Sequence, residues 1–338
     1  MPIGTEKNAL LGAAGSAAVV GERGVFVGGS PSDVGQDVLQ YITIDTAGDA
    51  TDFGNMLTAQ IASGGSTGNA ENDRGIMNGL GDYGGTNYET IEYITISTTG
   101  NSVDFGNSFD PGAGKGANSN GTNERAVFQG GGPPGEYGGN ARQDVISYLT
   151  INSLGDSVDF GDMNQDRTRT SAESNSTNER GICQGGRWYW PGYTMLNAIE
   201  YVTINSTGNG TDFGNMLFAL GNFYAGATSN GTNDRGIWAG GFRGWPLNVT
   251  ENTIQYITIS STGDAGDFGN LATANSCQGG LSSGTSERAV WGGGVVGEGT
   301  TPLDEIQYVT ISSTGDAGDF GDLLAVNCYL GGLSNMCP

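Results

Sequence analysis

Histidine is absent from the 338 residues of this chain. Its absence removes the side chain that proteins use most often as a general base and as a metal ligand near neutral pH. Cations are scarce as well: 13 lysines and arginines stand against 36 aspartates and glutamates, for a formal charge of −23. Such a charge disfavours nucleic acid or an anionic membrane surface as a partner, because both repel an acidic protein.

Cysteines and long apolar runs are also rare. Cys183, Cys277, Cys328 and Cys337 follow no metal-binding spacing and occur only in the second half of the chain. They are either small apolar core residues or the source of a single late disulfide. No run is long and apolar enough to span a bilayer, so we expect no membrane insertion. The first twenty residues lack a basic start and a strongly apolar run, and we expect no secretion signal.

Glycine, in contrast, makes up 62 residues, and the chain repeats itself. Six arginines, each preceded by Glu or Asp, open short apolar runs such as RGVFVGG and RAVWGGG. The first and the last are 265 residues apart, so five intervals give a mean period of 53 residues. Each run is followed by a variable loop, an alternating run such as LQYITI, a turn rich in Thr, Gly and Asn, and Asp-Phe-Gly. The arginines are Arg23, Arg74, Arg125, Arg180, Arg235 and Arg288, and the Asp-Phe-Gly aspartates are Asp52, Asp104, Asp159, Asp212, Asp267 and Asp319.

Each unit supplies four short β-strands. In the alternating run, Tyr41 and Thr43 lie on one face of the strand, and Ile42 and Ile44 lie on the other. A weaker strand of small residues precedes each arginine, and turns containing Gly and Asn join the strands as hairpins. About fifty residues per four antiparallel strands is typical of a propeller blade, which buries its faces only by stacking on its neighbours. The sequence therefore predicts an all-β, six-bladed β-propeller.

The order of the strands predicts how the ring closes. The final unit is followed by LLAVNCYLGGLSN, which has the pattern of an innermost strand, whereas the first unit begins at its arginine strand. We therefore predict that residues 325–334 complete the first blade and remove an exposed sheet edge. The predicted division is an N-terminal arm at 1–20, a propeller at 21–334 and a C-terminal tail at 335–338. The blades are expected at about 21–57 plus 325–334, 58–107, 108–162, 163–217, 218–271 and 272–324.

The repeated unit resembles the kelch repeat. The Gly-Gly that ends the arginine strand and the aromatic residue of the last strand match that family, with the Phe of Asp-Phe-Gly in place of the kelch tryptophan. Gly79-Leu80 breaks the doublet in the second unit. The resemblance covers about residues 21–334 and implies a propeller. The EYITI, STTGN and DFGN elements are also similar to kelch-like repeats in tail-fibre and other virion proteins of marine and cyanobacterial phages. This implies a structural protein of the phage particle, made in the host cytoplasm.

The repeated charges indicate a structural role. One arginine and one Asp-Phe-Gly aspartate per unit predict a buried Arg–carboxylate bridge within or between blades. The chain lacks the Gly-rich loop, lysine strand and catalytic loop that accompany Asp-Phe-Gly in protein kinases. Acidic turns such as GDSVDFGD leave calcium binding as an alternative, because oxygen clusters suit hard cations, but Asp and Asn also favour turns by bonding their own backbone. We expect no cofactor and no resident metal.

Variation between units is concentrated in the loops between the second and third strands. Alternating strand connectivity places all six loops on one side of the ring, which we name the loop face. Aromatic residues and arginines on diversified loops of a rigid scaffold are typical of a recognition surface; alternatively, they plug the mouth of the channel. Trp238 and Trp291 occupy strand positions and are predicted core residues. The candidate ligand-binding residues are Tyr137, Arg142, Arg187, Trp188, Tyr189, Trp190, Tyr193, Arg243 and Trp245.

These observations favour a structural and binding protein over an enzyme. Copper-oxidase chemistry needs histidine ligands and sialidase chemistry needs an arginine cluster, whereas glycosidase carboxylates stay open because Asp and Glu are plentiful. We expect a non-enzymatic virion propeller, a tail fibre or another tail-associated protein, that binds a host surface glycan or a neighbouring virion protein through the loop face. Residues 1–20 are expected to attach it to other virion proteins. The alternatives are a capsid decoration protein, a carbohydrate-active propeller enzyme and an intracellular kelch-type adaptor; a homo-oligomer stays open.

Overall fold

The computed structural model describes residues 22–32, 34–60, 65–69, 73–78, 81, 89–119, 125–132, 143–174, 179–188, 194–220, 226–230, 234–244, 246–282, 287–297 and 301–334. Within these ranges the chain is all-β, without helices, and forms six blades of four antiparallel strands around a central axis. The expected all-β, six-bladed propeller is therefore confirmed. The predicted arm at 1–20 and tail at 335–338 lie outside the described residues.

Strands are numbered in chain order and given for each blade from the innermost to the outermost. Blade 1 consists of β28 (Gly331–Ser334), β1 (Arg23–Val27), β2 (Gln36–Thr43) and β3 (Thr51–Gln60). Blade 2 consists of β4 (Gly65–Asn69), β5 (Arg74–Asn78), β6 (Thr90–Thr95) and β7 (Val103–Asn107). Blade 3 consists of β8 (Gly116–Ser119), β9 (Arg125–Gln129), β10 (Val145–Thr150) and β11 (Val158–Asp162).

The other three blades carry short additional strands in their variable loops. Blade 4 consists of β12 (Ser171–Ser174), β13 (Arg180–Gln184), β15 (Thr194–Thr203) and β16 (Thr211–Leu220), with β14 (Arg187–Trp188) beside β15. Blade 5 consists of β17 (Gly226–Asn230), β18 (Arg235–Ala239), β21 (Thr253–Thr258) and β22 (Gly266–Asn270), with a separate hairpin of β19 (Phe242–Arg243) and β20 (Val249–Thr250). Blade 6 consists of β23 (Gly279–Ser282), β24 (Arg288–Gly292), β26 (Thr301–Thr310) and β27 (Gly318–Asn327), with β25 (Val295–Val296) beside β26.

Blade 1 takes its innermost strand from the other end of the described chain. β28 pairs with β1, from Gly24 opposite Ser334 to Val27 opposite Gly331. The six innermost strands contact one another in a closed cycle, β28, β4, β8, β12, β17, β23 and back to β28. The first and the last described strands therefore lie in one sheet, and the inner edge of β1 is paired.

The core is divided into six apolar layers, one between each pair of neighbouring blades. Between blades 1 and 2, Phe53 packs with Ile94 across the junction. The two predicted faces of the Tyr strand serve different layers. Ile42 and Ile44 pack with blade 6, whereas Tyr41 packs on the layer shared with blade 2. Each blade thus contributes one face to each neighbour, as stacked repeat units must.

Large aromatic residues of the arginine strands lie inside these layers. Trp238 and Trp291 are 0% and 1% exposed, which confirms the prediction that they are core residues. The Gly-Gly that follows this strand has a positive φ at both residues: Gly28 has a φ of 61° and Gly29 a φ of 110°. Glycine adopts both values without steric cost, which accounts for the doublet at the end of this strand.

The turn after each Tyr strand closes over the outermost strand of the preceding blade; we name it the junction turn. In blade 2, Gly100 N–H donates to the Phe53 carbonyl at 2.8 Å, and Oδ1 of Asn101 accepts from Asn55 N–H at 3.0 Å. This covers an outer sheet edge that would otherwise be open. The Asx side chain makes the same bond at the other five junctions, where the pairs are Asp156 with Asn107, Asn209 with Asp162, Asp264 with Asn215, Asp316 with Asn270 and Asp49 with Asp322.

The glycine of Asp-Phe-Gly is required by the junction turn. Gly54 has a φ of 148°, and a Cβ atom there would clash with the Gly100 carbonyl of the next blade. Gly106 is placed in the same way against the carbonyl of Gly155. Backbone approaches backbone at these points, so neither side can give way to a side chain. Asp-Phe-Gly is therefore a blade-junction motif in this protein.

Candidate binding face

The repeated arginines are bound within the ring by a tyrosine and a backbone carbonyl. The guanidinium of Arg23 lies 4.3 Å from the ring centroid of Tyr41, and its Nη1 donates to the Ile96 carbonyl of blade 2 at 3.0 Å. The other five arginines make the same two contacts, with Tyr93 and Ile151, Tyr148 and Ile204, Tyr201 and Ile259, Tyr256 and Ile311, and Tyr308 and Ile44.

This arrangement corrects the predicted buried Arg–carboxylate bridge. The Asp-Phe-Gly aspartates, Asp52, Asp104, Asp159, Asp212, Asp267 and Asp319, are exposed. Alternation along the outermost strand explains the difference, because the Phe faces the core and the neighbouring Asp faces away from it. A ring face and a carbonyl satisfy the guanidinium without the desolvation of a second charge.

The aspartate before the arginine has a separate role in blades 2 and 5 that the sequence analysis missed. Asp73 has a φ of 50°, and its Oδ1 accepts from Ser97 N–H at 3.0 Å. Asp234 binds Ser260 N–H in the same way at 3.1 Å. The acid therefore caps the end of the Tyr strand in its own blade. Its invariant place before the arginine was the available signal.

A narrow channel along the ring axis encloses a cavity of about 50 Å³, lined mainly by small residues of the innermost strands. A cavity of this size holds a few water molecules, not a sugar ring. Glu173 is the acidic residue among the lining side chains and is 3% exposed. Its Oε2 accepts from Nε2 of Gln184 at 2.8 Å, whereas its Oε1 has no hydrogen-bond partner. Burial raises the pKa of the Glu173 carboxyl well above its usual value.

Two cations are buried in the connections that lead from one blade to the next. Arg167 forms an ion pair with Glu200 and donates from Nη1 to the Gly185 carbonyl at 3.1 Å. Lys115 Nζ lies 2.6 Å from Oδ2 of Asp110, and burial lowers the pKa of this lysine. Interblade connections emerge on the loop face, so these ion pairs lie in its base. The sequence contained both cations, but nothing in the repeat predicted their burial.

Arg187 and Trp188 lie on the loop face of blade 4. They form β14, opposite Met195 and Thr194 of β15, and both are half-buried. Arg187 N–H donates to the Thr168 carbonyl at 2.9 Å, which ties this hairpin to the connection from blade 3. Trp188 is therefore presented, partly exposed, by an ordered backbone.

The Arg243 side chain makes contacts within the loop face, so it stabilises this face instead of projecting toward a ligand. Its guanidinium lies 3.6 Å from the ring centroid of Phe218 in blade 4, and its Nε lies 2.7 Å from Oε1 of Glu251. Across the same hairpin, Oγ1 of Thr250 donates to the Gly297 carbonyl of blade 6 at 3.1 Å. The β19–β20 hairpin of blade 5 is thus fastened to both neighbouring blades.

The same hairpin exposes apolar side chains that the sequence analysis did not single out. Leu247 and Val249 are 56% and 46% exposed. Their position in the variable loop FRGWPLNV could have identified them, but only aromatic and arginine residues of that loop were predicted as site residues. The remaining predicted site residues, Tyr137, Arg142, Tyr189, Trp190, Tyr193 and Trp245, lie outside the described residues.

The described part of the chain contains neither a metal-binding cluster nor a membrane-spanning helix. No group of three or more Asp, Glu or Cys side chains there is placed to hold a metal ion, and no helix there is long and apolar enough to cross a membrane. No protein-family model matches the chain, and no curated protein matches it either.

Proposed function

We propose that this chain is a non-enzymatic structural and binding propeller of a phage particle. In this proposal the loop face binds a host surface glycan or a neighbouring virion protein. The observation that supports it is a division between two sets of residues. The repeated arginines and the glycines of Asp-Phe-Gly contact the next blade, whereas the loop face is built from segments that differ from blade to blade.

The buried carboxylates support a binding role over glycoside hydrolysis. Glu92 Oε2 accepts from Leu57 N–H at 3.0 Å and from Ser102 Oγ at 2.5 Å. Glu200 is paired with Arg167. Glycosidases place two carboxyl groups on either side of an open cleft that admits a sugar ring. Glu92 and Glu200 instead hold neighbouring backbone and side chains inside blade junctions.

The loop face has the rigidity that recognition by aromatic side chains requires. Trp188 lies on a hairpin that is bonded to the connection from blade 3, and the adjacent hairpin is fixed by Arg243 and Thr250. Aromatic rings that are already ordered bind a ligand with little loss of conformational entropy. The formal charge of −23 favours an uncharged or cationic ligand over a polyanionic one.

Binding through the loop face is tested with purified propeller and host cells. We expect the triple substitution Trp188→Ala, Trp190→Ala and Trp245→Ala to weaken adsorption at least about tenfold, which corresponds to the loss of one binding hot spot. The matched control is Leu154→Ala, at an exposed residue on the opposite side of the ring. Normal adsorption by a triple variant of lowered thermal stability would show that the tryptophans plug the channel.

The nature of the ligand is separated by a second comparison. Removal of surface polysaccharide from the host cells abolishes adsorption if the ligand is a glycan, whereas the purified propeller does not adsorb to the cells at all if its partner is a virion protein. In the second case, the triple variant fails to enter particles instead.

The phage assignment rests on the resemblance of the repeated unit, and we propose that residues 1–20 attach the propeller to the particle. Deletion of these residues is expected to abolish incorporation into particles while the isolated propeller keeps its circular dichroism spectrum and melting temperature. Normal incorporation of the truncated chain would remove the docking role of the arm. Low-resolution cryo-electron microscopy of the particle then distinguishes a tail fibre, a tail tip and a capsid decoration.

A further inference from the structure

Two cysteines lie where the ring closes. Cys277 precedes β23, the innermost strand of blade 6, and Cys328 precedes β28, the innermost strand of blade 1. Both are buried and belong to one small apolar cluster with Val295. Both are present as thiols. No repeat position requires a cysteine here, because the corresponding residues before β12 are Thr168 and Arg169.

The backbone places these two residues next to each other. Tyr329 N–H, adjacent to Cys328, donates to the Cys277 carbonyl at 2.7 Å. The path between the two Cα atoms therefore runs through the Cys277 carbonyl, this hydrogen bond and the peptide bond between Cys328 and Tyr329. Such a path is short enough to allow the Cα–Cα range of a disulfide. Both side chains enter the same apolar cluster.

The environment of the thiols agrees with this proximity. Burial and, next, the neighbouring Cys328 sulfur raise the pKa of the Cys277 thiol. The Cys328 thiol donates to the Ser30 carbonyl at 2.9 Å. Both contacts lie at the junction that joins blade 6 to blade 1.

We propose that Cys277 and Cys328 form a disulfide in an oxidising medium and so join blade 6 covalently to the segment that closes the ring. The S–S bond replaces two S–H bonds, and the two protons and two electrons reduce a small-molecule disulfide, such as oxidised glutathione, to two thiols. The attacking species is a thiolate, so the raised pKa of Cys277 makes the reaction slow in the folded protein and faster at alkaline pH.

The bond would act on a short strand pairing at the point where the ring closes. β28 meets β1 over four residue pairs, Gly24 to Val27 with Gly331 to Ser334. A covalent link at Cys328, three residues before this strand, keeps β28 beside its site when the pairing opens. Re-pairing then becomes an intramolecular step over a short tether, which favours the closed ring.

The test uses the full chain with Cys183→Ala and Cys337→Ala, which leaves only the proposed pair of the four cysteines. The folded protein is incubated with oxidised glutathione at mildly alkaline pH, denatured, alkylated and analysed by mass spectrometry. We expect a mass lower by two hydrogen atoms, no alkylation, and a non-reduced digest that contains residues 277 and 328 in one linked peptide. The melting temperature should exceed that of the same sample after reduction by about 5 °C.

The matched control adds Cys328→Ala to this variant, and its remaining thiol should accept only a mixed disulfide with glutathione. The unsubstituted chain, digested after the same oxidation, provides a second measurement that does not depend on how the variants fold. Full alkylation of Cys277 and Cys328 in the oxidised unsubstituted chain, or a bridge from either one to Cys183 or Cys337, would overturn the proposal.

Discussion

The guanidinium of each repeated arginine stacks on a tyrosine of its own blade and donates to a backbone carbonyl of the next blade. Arg125 stacks on Tyr148 at 4.6 Å and donates to the Ile204 carbonyl of blade 4 at 2.9 Å. The quadrupole of the ring and the dipole of the carbonyl both stabilise the positive charge. A carbonyl at the end of a strand has a free lone pair, so the arginine also satisfies a backbone group that the sheet leaves open.

Substitution of this arginine separates the observed contacts from the predicted ion pair. Arg125→Met should lower the free energy of unfolding by about 1–3 kcal/mol, because it removes the ring contact and leaves the Ile204 carbonyl without its donor. Asp159→Asn, in the same blade, should change the free energy of unfolding by less than about 0.5 kcal/mol, because Asp159 is exposed. Urea denaturation measures both changes in the free energy of unfolding. Equal losses for the two variants would support the predicted ion pair between Arg125 and Asp159.

Glu173 is expected to make stability depend on pH in a particular direction. Burial raises the pKa of this carboxyl in the folded state, so the folded protein holds the proton more tightly than the unfolded chain. The contribution to stability is complete below the unfolded pKa and is lost as the pH rises toward the folded pKa.

Glu173→Gln removes this dependence, because the amide cannot ionise and still offers an acceptor to Gln184. The variant should match the original protein near pH 4 and exceed its free energy of unfolding by about 2 kcal/mol at pH 8. The measurement is the difference between the two proteins across a pH series, which cancels the titration of the many surface carboxylates. A difference that does not change with pH would contradict the assignment.

At the scale of the strand, side chains of complementary size meet where the innermost strand of one blade packs against the arginine strand of the next. A Cβ atom on Gly24 would lie 2.5 Å from Leu281 of blade 6, and one on Gly75 would lie 2.6 Å from Leu333 of blade 1. Asn118 and Glu173 fill the same position against Gly181 and Gly236. Where the arginine is followed by Ala126 or Ala289 instead of glycine, the preceding innermost strand has a smaller residue at this position, Thr67 or Thr228.

This complementarity predicts a rescue. Gly75→Ala should lower the free energy of unfolding by about 1–3 kcal/mol, because the new methyl group overlaps Leu333. Adding Leu333→Thr recreates the pair of Thr67 and Ala126. After the cost of Leu333→Thr alone is subtracted, the double variant should recover at least half of the unfolding free energy that Gly75→Ala loses. A double-mutant cycle measures this coupling. Ala126→Gly is the control, because the residue opposite Ala126 is the smaller Thr67. Strictly additive effects of Gly75→Ala and Leu333→Thr would contradict the size match.

The period of the sequence was enough to predict the six blades, the four strands in each and the burial of Trp238 and Trp291, because strand alternation and repeat length are local properties. The partners across junctions were not predictable in this way. The contact of Arg23 with the Ile96 carbonyl joins residues of different units, and one of the two groups is backbone, which leaves no trace in residue identity. The loop-face contact of Arg243 with Phe218 is non-repeating, so no comparison between units indicated it.

At the scale of the whole molecule, every junction uses the same bonds in the same direction, from blade 1 round to blade 6. The last junction is made by Arg288, which donates to the Ile44 carbonyl at 2.9 Å, and by Asp322 N–H, which donates to Oδ1 of Asp49 at 3.1 Å. Blade 6 therefore meets blade 1 as any blade meets the next. In a closed ring each blade has two neighbours, so the loss of one contact affects layers on both sides of it.

Deletion of residues 331–338 tests how far the ring depends on its closing strand. It removes β28, empties the place of Leu333 against Gly75 and exposes the inner edge of β1, so the free energy of unfolding should fall by more than about 3 kcal/mol. The control deletes residues 335–338 only; it also lacks Cys337 but keeps β28. Hydrogen exchange should accelerate in β1, β4 and β23, which border β28, before it does in β12 on the far side of the ring. Equal exchange in the two truncated chains would mean that the junction layers hold blade 1 without its innermost strand.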